Sequence, residues 1–290
     1  MDLKKTVDVS IIVPDYNNGS FLNEFIESVV NSTVLPRELI IIDDGSTDET
    51  TEVLRKYKNF PFLRIIRFPE NEGLPTALNA GLDEASSKYI MRADPDDIMH
   101  PERIERQFVY MESHLDTDVL GCNVRYFHHE SGKDINISNF PCGDKEIKKF
   151  YLRGLNGIQH PTACIKYDVV QKYRYEKIFP GEDYEFFSQM AKDGWQFANL
   201  PEPLYHMRVH PLSMTRNIKL KAIQYIFRTR DKIWGTKTSQ YRVISYYLFI
   251  RFYRSYQISA IGLPKYFYLF LAILSNPLSL FYRIKRLFNG

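Results

Sequence analysis

Short apolar runs alternate with segments of helical periodicity through the first 210 residues of this chain. Runs of this length predict strands, and the periodic segments predict helices. The predicted strands span residues 9–13, 39–42, 62–68 and 89–91, and the predicted helices span residues 21–30, 47–57 and 74–85. Strands that alternate with helices at this interval predict an α/β fold, with a mostly parallel sheet and helices on both of its faces.

Three acidic segments come directly after predicted strands. They are PDYN at 14–17, DDG at 43–45 and RADPDD at 92–97. Ligands of parallel sheets bind beyond the carboxyl ends of the strands, so we expect the three segments at one edge of the sheet. Carboxylates gathered at one edge repel each other unless they bind a positive charge. The pattern therefore predicts a site for a cation or for a ligand that brings one.

The RADPDD segment carries the most explicit chemistry. It holds Asp94, Asp96 and Asp97, and the ring of Pro95 stiffens a turn that can aim Asp94 and Asp96 at one point. Hard oxygen ligands of this kind favour Mg²⁺ or Mn²⁺. Taken alone, the segment also fits a solvated acidic turn before the helix predicted from residue 101. The two other acidic segments favour the metal site.

The segment IIDDGSTD at 41–48 predicts a nucleotide contact. One of its two acids can serve local turn chemistry, and we expect the other, Asp44, to accept a hydrogen bond from the imide N–H of a nucleobase. Uracil and guanine carry such a proton, whereas cytosine presents an acceptor there. A UDP or GDP ligand is therefore favoured over a CMP ligand.

Six segments together identify a family resemblance. They are SIIVPDYNN at 10–18, IIDDGSTD at 41–48, NEGLPTALNAGL at 71–82, YIMRADPDDIMHPERIERQ at 89–107, HPT at 160–162 and GEDYEFFSQMAKDGW at 181–195. Their order and spacing resemble glycosyltransferase family 2, and within it the bacterial surface-polysaccharide members. These members have the GT-A fold, with a Rossmann-like sheet. The resemblance covers about residues 7–210.

The resemblance implies a set of site residues. The implied substrate contacts are Pro14, Tyr16, Asn17, Asp44, Asn71, Gly73, Asp94, His160 and Arg208, and the implied ligands of Mn²⁺ or Mg²⁺ are Asp94, Asp96 and His210. Asp96 is the expected direct ligand, and Asp97 either supports a ligand or caps the following turn. His160 is expected to line the acceptor side.

The sequence departs from the family pattern at three places. Asp15 stands where small or hydroxyl residues are usual, and Pro95 stands where alanine or serine is commoner. Residues 76–78 lack an arginine that many members have there. All carboxylates expected from the family pattern are present. The arginine absent from residues 76–78 would usually make a nucleotide or diphosphate contact.

The acid pair Glu182 and Asp183 matches the family's catalytic motif at the start of a predicted helix. The resemblance implies that Asp183 is the general base that deprotonates the incoming hydroxyl, with Glu182 supporting it. Taken alone, the pair would rather be interpreted as acids that complement the positive end of the helix dipole, and the carboxylate segment at 92–97 favours catalysis. A single displacement inverts the anomeric centre, so an α-linked nucleotide sugar would give a β-linked product.

Charge and aromatic content separate the end of the chain from the rest. From Lys219 onward there are 13 Lys or Arg residues and one acid, Asp231, whereas the first 218 residues carry 25 basic and 34 acidic residues. Between residues 241 and 290, 14 of 50 residues are Phe or Tyr. Basic and aromatic residues interleaved in this way are typical of segments at a lipid headgroup boundary. Packing of these aromatics on the first domain is the alternative.

The tail is expected to lie on a membrane rather than to cross it. Its longest uncharged run has 17 residues, 266–282, or about 26 Å as a helix, against a hydrocarbon layer of roughly 30 Å. Asn276-Pro277 is also expected to end the helix. We therefore predict a transferase domain at residues 1–217 and a basic, aromatic, helical region at residues 218–290 that associates with the membrane.

These features predict an inverting, metal-dependent transferase. It would move a hexose or N-acetylhexosamine from a nucleotide sugar, preferably UDP-linked, to a glycan acceptor carried on a lipid. Three cysteines without CxxC spacing and an N-terminus without an apolar leader favour the cytoplasmic face of the membrane. An inactive nucleotide-sugar-binding module recruited to the membrane is the alternative. A nucleic-acid partner is not expected, because the apolar clusters of the tail suit lipid better than a strand-tracking groove.

Overall fold

The structure, a computed structural model, describes residues 4–177, 181–210, 219–258 and 262–277. The chain divides into two compact units, residues 1–216 and residues 217–290. The strands of the first unit are β1 (Thr6–Asp15), β2 (Leu35–Asp43), β3 (Leu63–Arg67), β4 (Tyr89–Arg92), β5 (Ile98–Met99), β6 (Val119–His128), β7 (Asp134–Ile137), β8 (Cys164–Lys166) and β9 (Phe197–Val209). Its helices are α1 (Gly19–Val30), α2 (Thr50–Tyr57), α3 (Leu74–Glu84), α4 (Arg103–Ser113), α5 (Asp144–Leu152), α6 (Tyr167–Val170) and α7 (Glu182–Lys192), with a 3₁₀ turn at His160–Thr162.

The nine strands form one sheet in the order β3-β2-β1-β4-β8-β6-β9-β5, and β7 pairs with β6. The first four strands in this order are parallel. β8 is antiparallel to both β4 and β6, and β9 is parallel to β6 but antiparallel to β5. The prediction of a mostly parallel sheet is therefore correct for the first half and wrong for the whole sheet, which is mixed. Two parallel neighbours that follow each other in the chain are joined by a crossover, usually a helix. Between β4 and β8, in contrast, the chain passes through β5, β6 and β7, which belong to the same sheet.

Helices cover both faces of the parallel half. Val9, Ile11 and Val13 of β1 belong to a buried cluster with residues of α1, α2 and α4. On the other face, a Cβ added to Gly81 of α3 would stand 2.3 Å from the Ile12 side chain, so α3 packs there at close range. Successive side chains of a strand point to opposite faces, which explains why β1 is buried along most of its length. The predicted covering of both faces is confirmed.

The second unit contains three helices, α8 (Leu220–Trp234), α9 (Gln240–Ile258) and α10 (Leu263–Ser275). α9 and α10 form an antiparallel hairpin, in which Ser245 Oγ donates to the Ser275 carbonyl at 2.6 Å. At the other end of the hairpin, Lys265 Nζ lies 5.2 Å from the centre of the Tyr256 ring. α10 ends at Ser275, before Asn276-Pro277, as the sequence predicts. Among the described residues, no helix is both long enough and apolar enough to cross a bilayer.

Candidate active site

The loop after β1 is tied to the loop after β2. The Asn17 N–H donates to Ser46 Oγ at 2.9 Å, and the Asn17 side chain accepts a hydrogen bond from the Thr47 N–H at 2.8 Å. Asn17 has a φ of 57°, which asparagine tolerates better than most residues. Pro14 is buried at the end of β1, whereas the Tyr16 side chain is exposed. The loop therefore presents Tyr16 to solvent from a fixed backbone.

The Asp44 carboxylate organises the loop after β3. It accepts hydrogen bonds from the Gly73 N–H at 2.9 Å, from the adjacent Glu72 N–H at 2.7 Å and from Asn71 Nδ2 at 3.1 Å. A carboxylate offers about four lone-pair directions, so Asp44 keeps an acceptor position beyond these three. The structure thus brings together Asp44, Asn71 and Gly73. A contact between Asp44 and a nucleobase stays a prediction.

Asp94, Asp96 and Asp97 form a carboxylate cluster after β4. One carboxylate oxygen from each of the three lies within 4.8 Å of the other two. Asp94 and Asp96 are each about a quarter exposed, and Asp97 is buried. Asp97 Oδ2 is buried without a hydrogen-bond partner among the described residues. Closely spaced carboxylate oxygens fit Mg²⁺ or Mn²⁺, and the cluster adds Asp97 to the residues able to hold such an ion.

The end of β9 completes this cluster. The Arg208 N–H donates to Asp97 Oδ1 at 2.8 Å, and Arg208 Nε donates to the Asp96 carbonyl at 2.8 Å. Its Nη2 donates to Glu24 at 2.5 Å. His210 Nε2 lies 3.0 Å from Asp96 Oδ2. Arg208 therefore braces the 94–97 turn, and His210 lies beside Asp96. Metal binding by His210 and a contact of Arg208 with substrate stay predictions.

Arg92 lies beside the acids of the site. It is buried at the end of β4, and its Nη1 is 2.5 Å from Asp94 Oδ2. Burial is the larger influence on Asp94, Glu182 and Asp183 and raises the pKa of each. The Arg92 charge opposes that rise in all three. One guanidinium thus acts on both the carboxylate cluster and the acid pair.

Glu182 and Asp183 begin α7, directly after Gly181, as predicted. Burial, followed by the charge of Asp183, raises the pKa of Glu182 to about 7. Burial also raises the pKa of Asp183, against hydrogen bonds from the Tyr184 N–H at 2.7 Å and from Asn156 Nδ2 at 2.6 Å. A carboxylate whose pKa is raised toward neutrality is a better proton acceptor at neutral pH than an ordinary surface acid.

His160 is packed beneath α7. Its Nε2 lies 2.9 Å from the Tyr175 hydroxyl, and its ring meets the Phe187 ring edge-on at 5.8 Å. Burial lowers the pKa of His160 well below its usual value, so the ring is neutral. This is the placement of a core histidine, and its expected contact with the acceptor stays a prediction.

Sequence reasoning missed two residues of the site. Arg92 is close in sequence to Asp94 and Asp96, and its position at the end of a predicted strand is a signal that could have identified it. Asn156 precedes the HPT segment by four residues, in a stretch without periodicity, so no local signal connects it with Asp183.

Comparison with known proteins identifies relatives across most of the chain. The profile of the family described as "Glycosyl transferase family 2" matches residues 10–174. The amylovoran biosynthesis glycosyltransferase AmsE of Erwinia amylovora is 32% identical over 203 residues, which cover 69% of this chain and 75% of the relative. An Escherichia coli UDP-Gal:alpha-D-GlcNAc-diphosphoundecaprenol beta-1,3-galactosyltransferase is 28% identical over 207 residues, covering 70% of this chain and 74% of the relative.

A solved structure shares the fold. The crystal structure of S. aureus TarS 1–349 in complex with UDP-GlcNAc matches with a TM-score of 0.62 and 16% sequence identity. The match covers 93% of this chain and 79% of that one. The expected GT-A-like α/β fold is thereby confirmed.

Proposed function

The chain belongs to glycosyltransferase family 2, and on this premise we propose that it transfers a hexose or N-acetylhexosamine from a nucleotide sugar to a glycan acceptor with inversion. One observation carries the proposal. The buried Arg92 guanidinium contacts Asp94 of the carboxylate cluster, and its charge also acts on both acids of the pair, Glu182 and Asp183. The carboxylate cluster suits a donor diphosphate with its cation, and the acid pair suits an acceptor hydroxyl.

The donor side is formed by the loops after β1 to β3. Pro14, Tyr16 and Asn17 would hold the nucleoside on one side, and Asp44 would accept a proton from the base. Asn71 and Gly73, fixed by Asp44, would complete this surface. A UDP sugar is the proposed donor, since TarS was solved with UDP-GlcNAc and the E. coli relative is named for UDP-Gal.

Asp94, Asp96 and His210 would hold Mn²⁺ or Mg²⁺, with Asp97 as a further oxygen ligand. Such an ion, when bound, neutralises the charge that grows on the leaving diphosphate. Arg208 keeps the turn that carries these ligands in place through Asp96 and Asp97. Arg92 balances the charge of Asp94, which is partly shielded from solvent.

Asp183 would act as the general base. Its carboxylate would take the proton from the acceptor hydroxyl while that oxygen attacks the anomeric carbon from the side opposite the diphosphate. The bond from the acceptor oxygen to the anomeric carbon forms as the bond from that carbon to the diphosphate breaks. The anomeric centre is therefore inverted, and no second nucleophile is needed. Glu182, whose pKa is raised to about 7, would share the charge of the pair.

The proposed acceptor is a lipid-linked glycan in bacterial polysaccharide synthesis, such as that of O antigen, capsule or exopolysaccharide. The names of two relatives support it, one for amylovoran biosynthesis and one for a diphosphoundecaprenol substrate. Such acceptors are presented at a membrane surface, so we place the protein on the cytoplasmic face of the membrane as a peripheral protein.

One face of α10 supports this location. Leu263, Tyr266, Phe267, Phe270 and Leu274 recur at helical spacing, and each is more than half exposed. The unit that contains them is strongly basic. An apolar stripe on a basic unit fits the surface of an anionic bilayer, where the rings enter the lipid and the cations meet the headgroups.

A donor panel tests the proposed function. UDP-glucose, UDP-galactose and their N-acetyl forms would be incubated with the full chain and extracted lipid-linked acceptors, with and without Mn²⁺, and nucleotide release measured. We expect release with one donor that requires both acceptor and metal. Binding of UDP sugars without acceptor-dependent release from any donor would favour the alternative, an inactive binding module on the membrane.

A further inference from the structure

The carboxylate of Asp183 is held from two sides. Its Oδ1 accepts the Tyr184 N–H of its own helix at 2.7 Å, and its Oδ2 accepts Asn156 Nδ2 at 2.6 Å. Because both oxygens accept a hydrogen bond, the plane of the carboxylate is fixed, and its remaining lone pairs point in a defined direction. We propose that Asn156 is a positioning residue, which orients the Asp183 carboxylate toward the acceptor hydroxyl through its side-chain amide. This inference rests on the proposed function.

The segment that carries Asn156 is fixed by the next two residues. Gly157 packs so closely on α5 that an added Cβ would stand 2.7 Å from the Ile147 side chain. The Gly157 carbonyl accepts a hydrogen bond from Asn199 Nδ2 at 2.9 Å, and the Ile158 N–H donates to the Tyr151 hydroxyl at 3.1 Å. The backbone beside Asn156 is thus anchored to α5 and β9.

The same frame holds the helix that carries the base. The Tyr184 hydroxyl donates to the Tyr151 carbonyl at 2.5 Å, and the two rings lie 6.0 Å apart. Tyr151 is buried and is bonded both to the segment of Asn156 and to α7. The amide and the carboxylate are therefore attached to one rigid support, and a loss of the amide would free the carboxylate without removing that support.

The hydrogen bond also affects the charge state of the base. Burial raises the pKa of Asp183, and the bond from Asn156 opposes this because it stabilises the ionised form. The Tyr184 N–H acts in the same direction, as does the charge of Arg92, and Glu182 is the neighbouring acid. Removing the amide is expected to move the onset of activity to higher pH.

The test compares Asn156→Ala and Asn156→Asp in the full chain, with Asn23→Ala as the matched control. Asn23 lies on α1 and accepts a hydrogen bond from the Tyr57 hydroxyl. With the best donor of the panel, we expect Asn156→Ala to lower kcat about 10- to 100-fold, because the base is no longer aimed. The acidic limb of its kcat profile should move up by roughly one pH unit. Asn23→Ala should match the wild type.

Asn156→Asp separates positioning from packing. It keeps the volume of the side chain but replaces the donor by a second acid, so kcat should fall at least as far as in Asn156→Ala. In all variants, calorimetric binding of the UDP sugar should stay within about twofold of wild type, because the donor contacts lie elsewhere. Wild-type kcat in Asn156→Asp, or a loss of donor binding parallel to the loss of kcat, would overturn the inference.

Failure of the proposed function gives a different pattern. A wild-type chain without transfer to any acceptor, or an Asp183→Asn variant with full transfer, would refute the function or the base assignment. An active wild type, an inactive Asp183→Asn and unaffected Asn156 variants would refute the inference alone.

Discussion

Individual carboxylates of this chain are distinguished by what surrounds them. Asp44 accepts three hydrogen bonds from donors of one loop, Asp96 faces His210, and Asp183 accepts a hydrogen bond from an amide. Asp97 keeps one buried oxygen without a partner among the described residues. We therefore expect the removal of the negative charge by substitution to have a different effect at each of these acids.

Asp96→Asn tests the metal site. The change keeps the size of the side chain but removes its charge, so we expect turnover to fall at least about a hundredfold while the fold is retained. Activity with and without EDTA, together with a circular dichroism spectrum, would measure this. Near-normal activity in the folded variant, or wild-type activity indifferent to EDTA, would contradict the assignment.

Asp183→Asn tests the base. We expect transfer to be abolished, while UDP-sugar binding measured by calorimetry stays within severalfold of wild type, because the proposed donor contacts lie in other loops. If donor binding disappears together with activity, Asp183 is a donor-site or structural residue instead.

Asp15→Asn tests a buried acid at the end of β1. Burial raises the pKa of Asp15 to about 7, although Thr50 Oγ1 donates to it at 3.1 Å. The folded state therefore holds a proton that the unfolded state releases near pH 4, and this stabilisation is lost as the pH rises from about 4 through 7. Asparagine mimics the protonated form, so the variant should gain about 1–3 kcal/mol of unfolding free energy at pH 8 and nothing below pH 4. Urea unfolding at both pH values gives the measurement, with Asp8→Asn, a change at a half-exposed acid of the same strand, as control. A gain that is equal at both pH values would contradict the burial argument.

At the scale of elements, the sequence predicts what local patterns encode. Strands β1 to β4 and the helices between them are found within a few residues of the predicted positions, because each is an apolar run or an amphipathic segment bounded by turn residues. The full length of β9 could not be predicted in this way, since Pro201 and Pro203 interrupt its 13 residues. Its path is fixed by long-range pairing with β6 and β5, and the bond between Asn156 and Asp183 depends on the same long-range packing.

The exposed stripe of α10 yields a prediction for one element. Phe267→Ser with Phe270→Ser should lower the partition of the full chain onto anionic vesicles at least tenfold, because each ring that enters lipid contributes about 1.5–3 kcal/mol. The paired change Val109→Ser with Leu115→Ser removes exposed apolar residues of the first unit and should leave partition unaltered. Equal effects of both pairs of substitutions would refute the stripe as the lipid contact. A wild-type dimer that dissociates in the α10 variant would instead show that the stripe contacts a second copy of the chain.

For the whole molecule, we propose that the first unit carries the chemistry and the second unit carries the membrane contact. Removal of residues 241–290 should release the protein from membranes without loss of UDP-sugar binding, since all proposed donor residues precede residue 211. High salt should release the full chain only in part, because it screens roughly 1 kcal/mol per basic residue but not the apolar contribution. Detergent should release it completely. A truncated chain that still pellets with membranes, or complete release of the full chain by salt, would show that the tail is no interfacial anchor.

The bracing of the 94–97 turn by β9 has a consequence for synthesis. The turn itself leaves the ribosome early, but Arg208 and His210, which hold its backbone and face its carboxylate, follow more than a hundred residues later. The parallel half is encoded in consecutive sequence and is free to form first, as domains commonly fold from the N-terminus while the chain is still growing. A nascent chain therefore carries the acids of the proposed metal site well before it can arrange them. The 94–97 turn gains these contacts only when the end of β9 is in place, so we expect a translation product that stops before β9 to lack the braced carboxylate cluster.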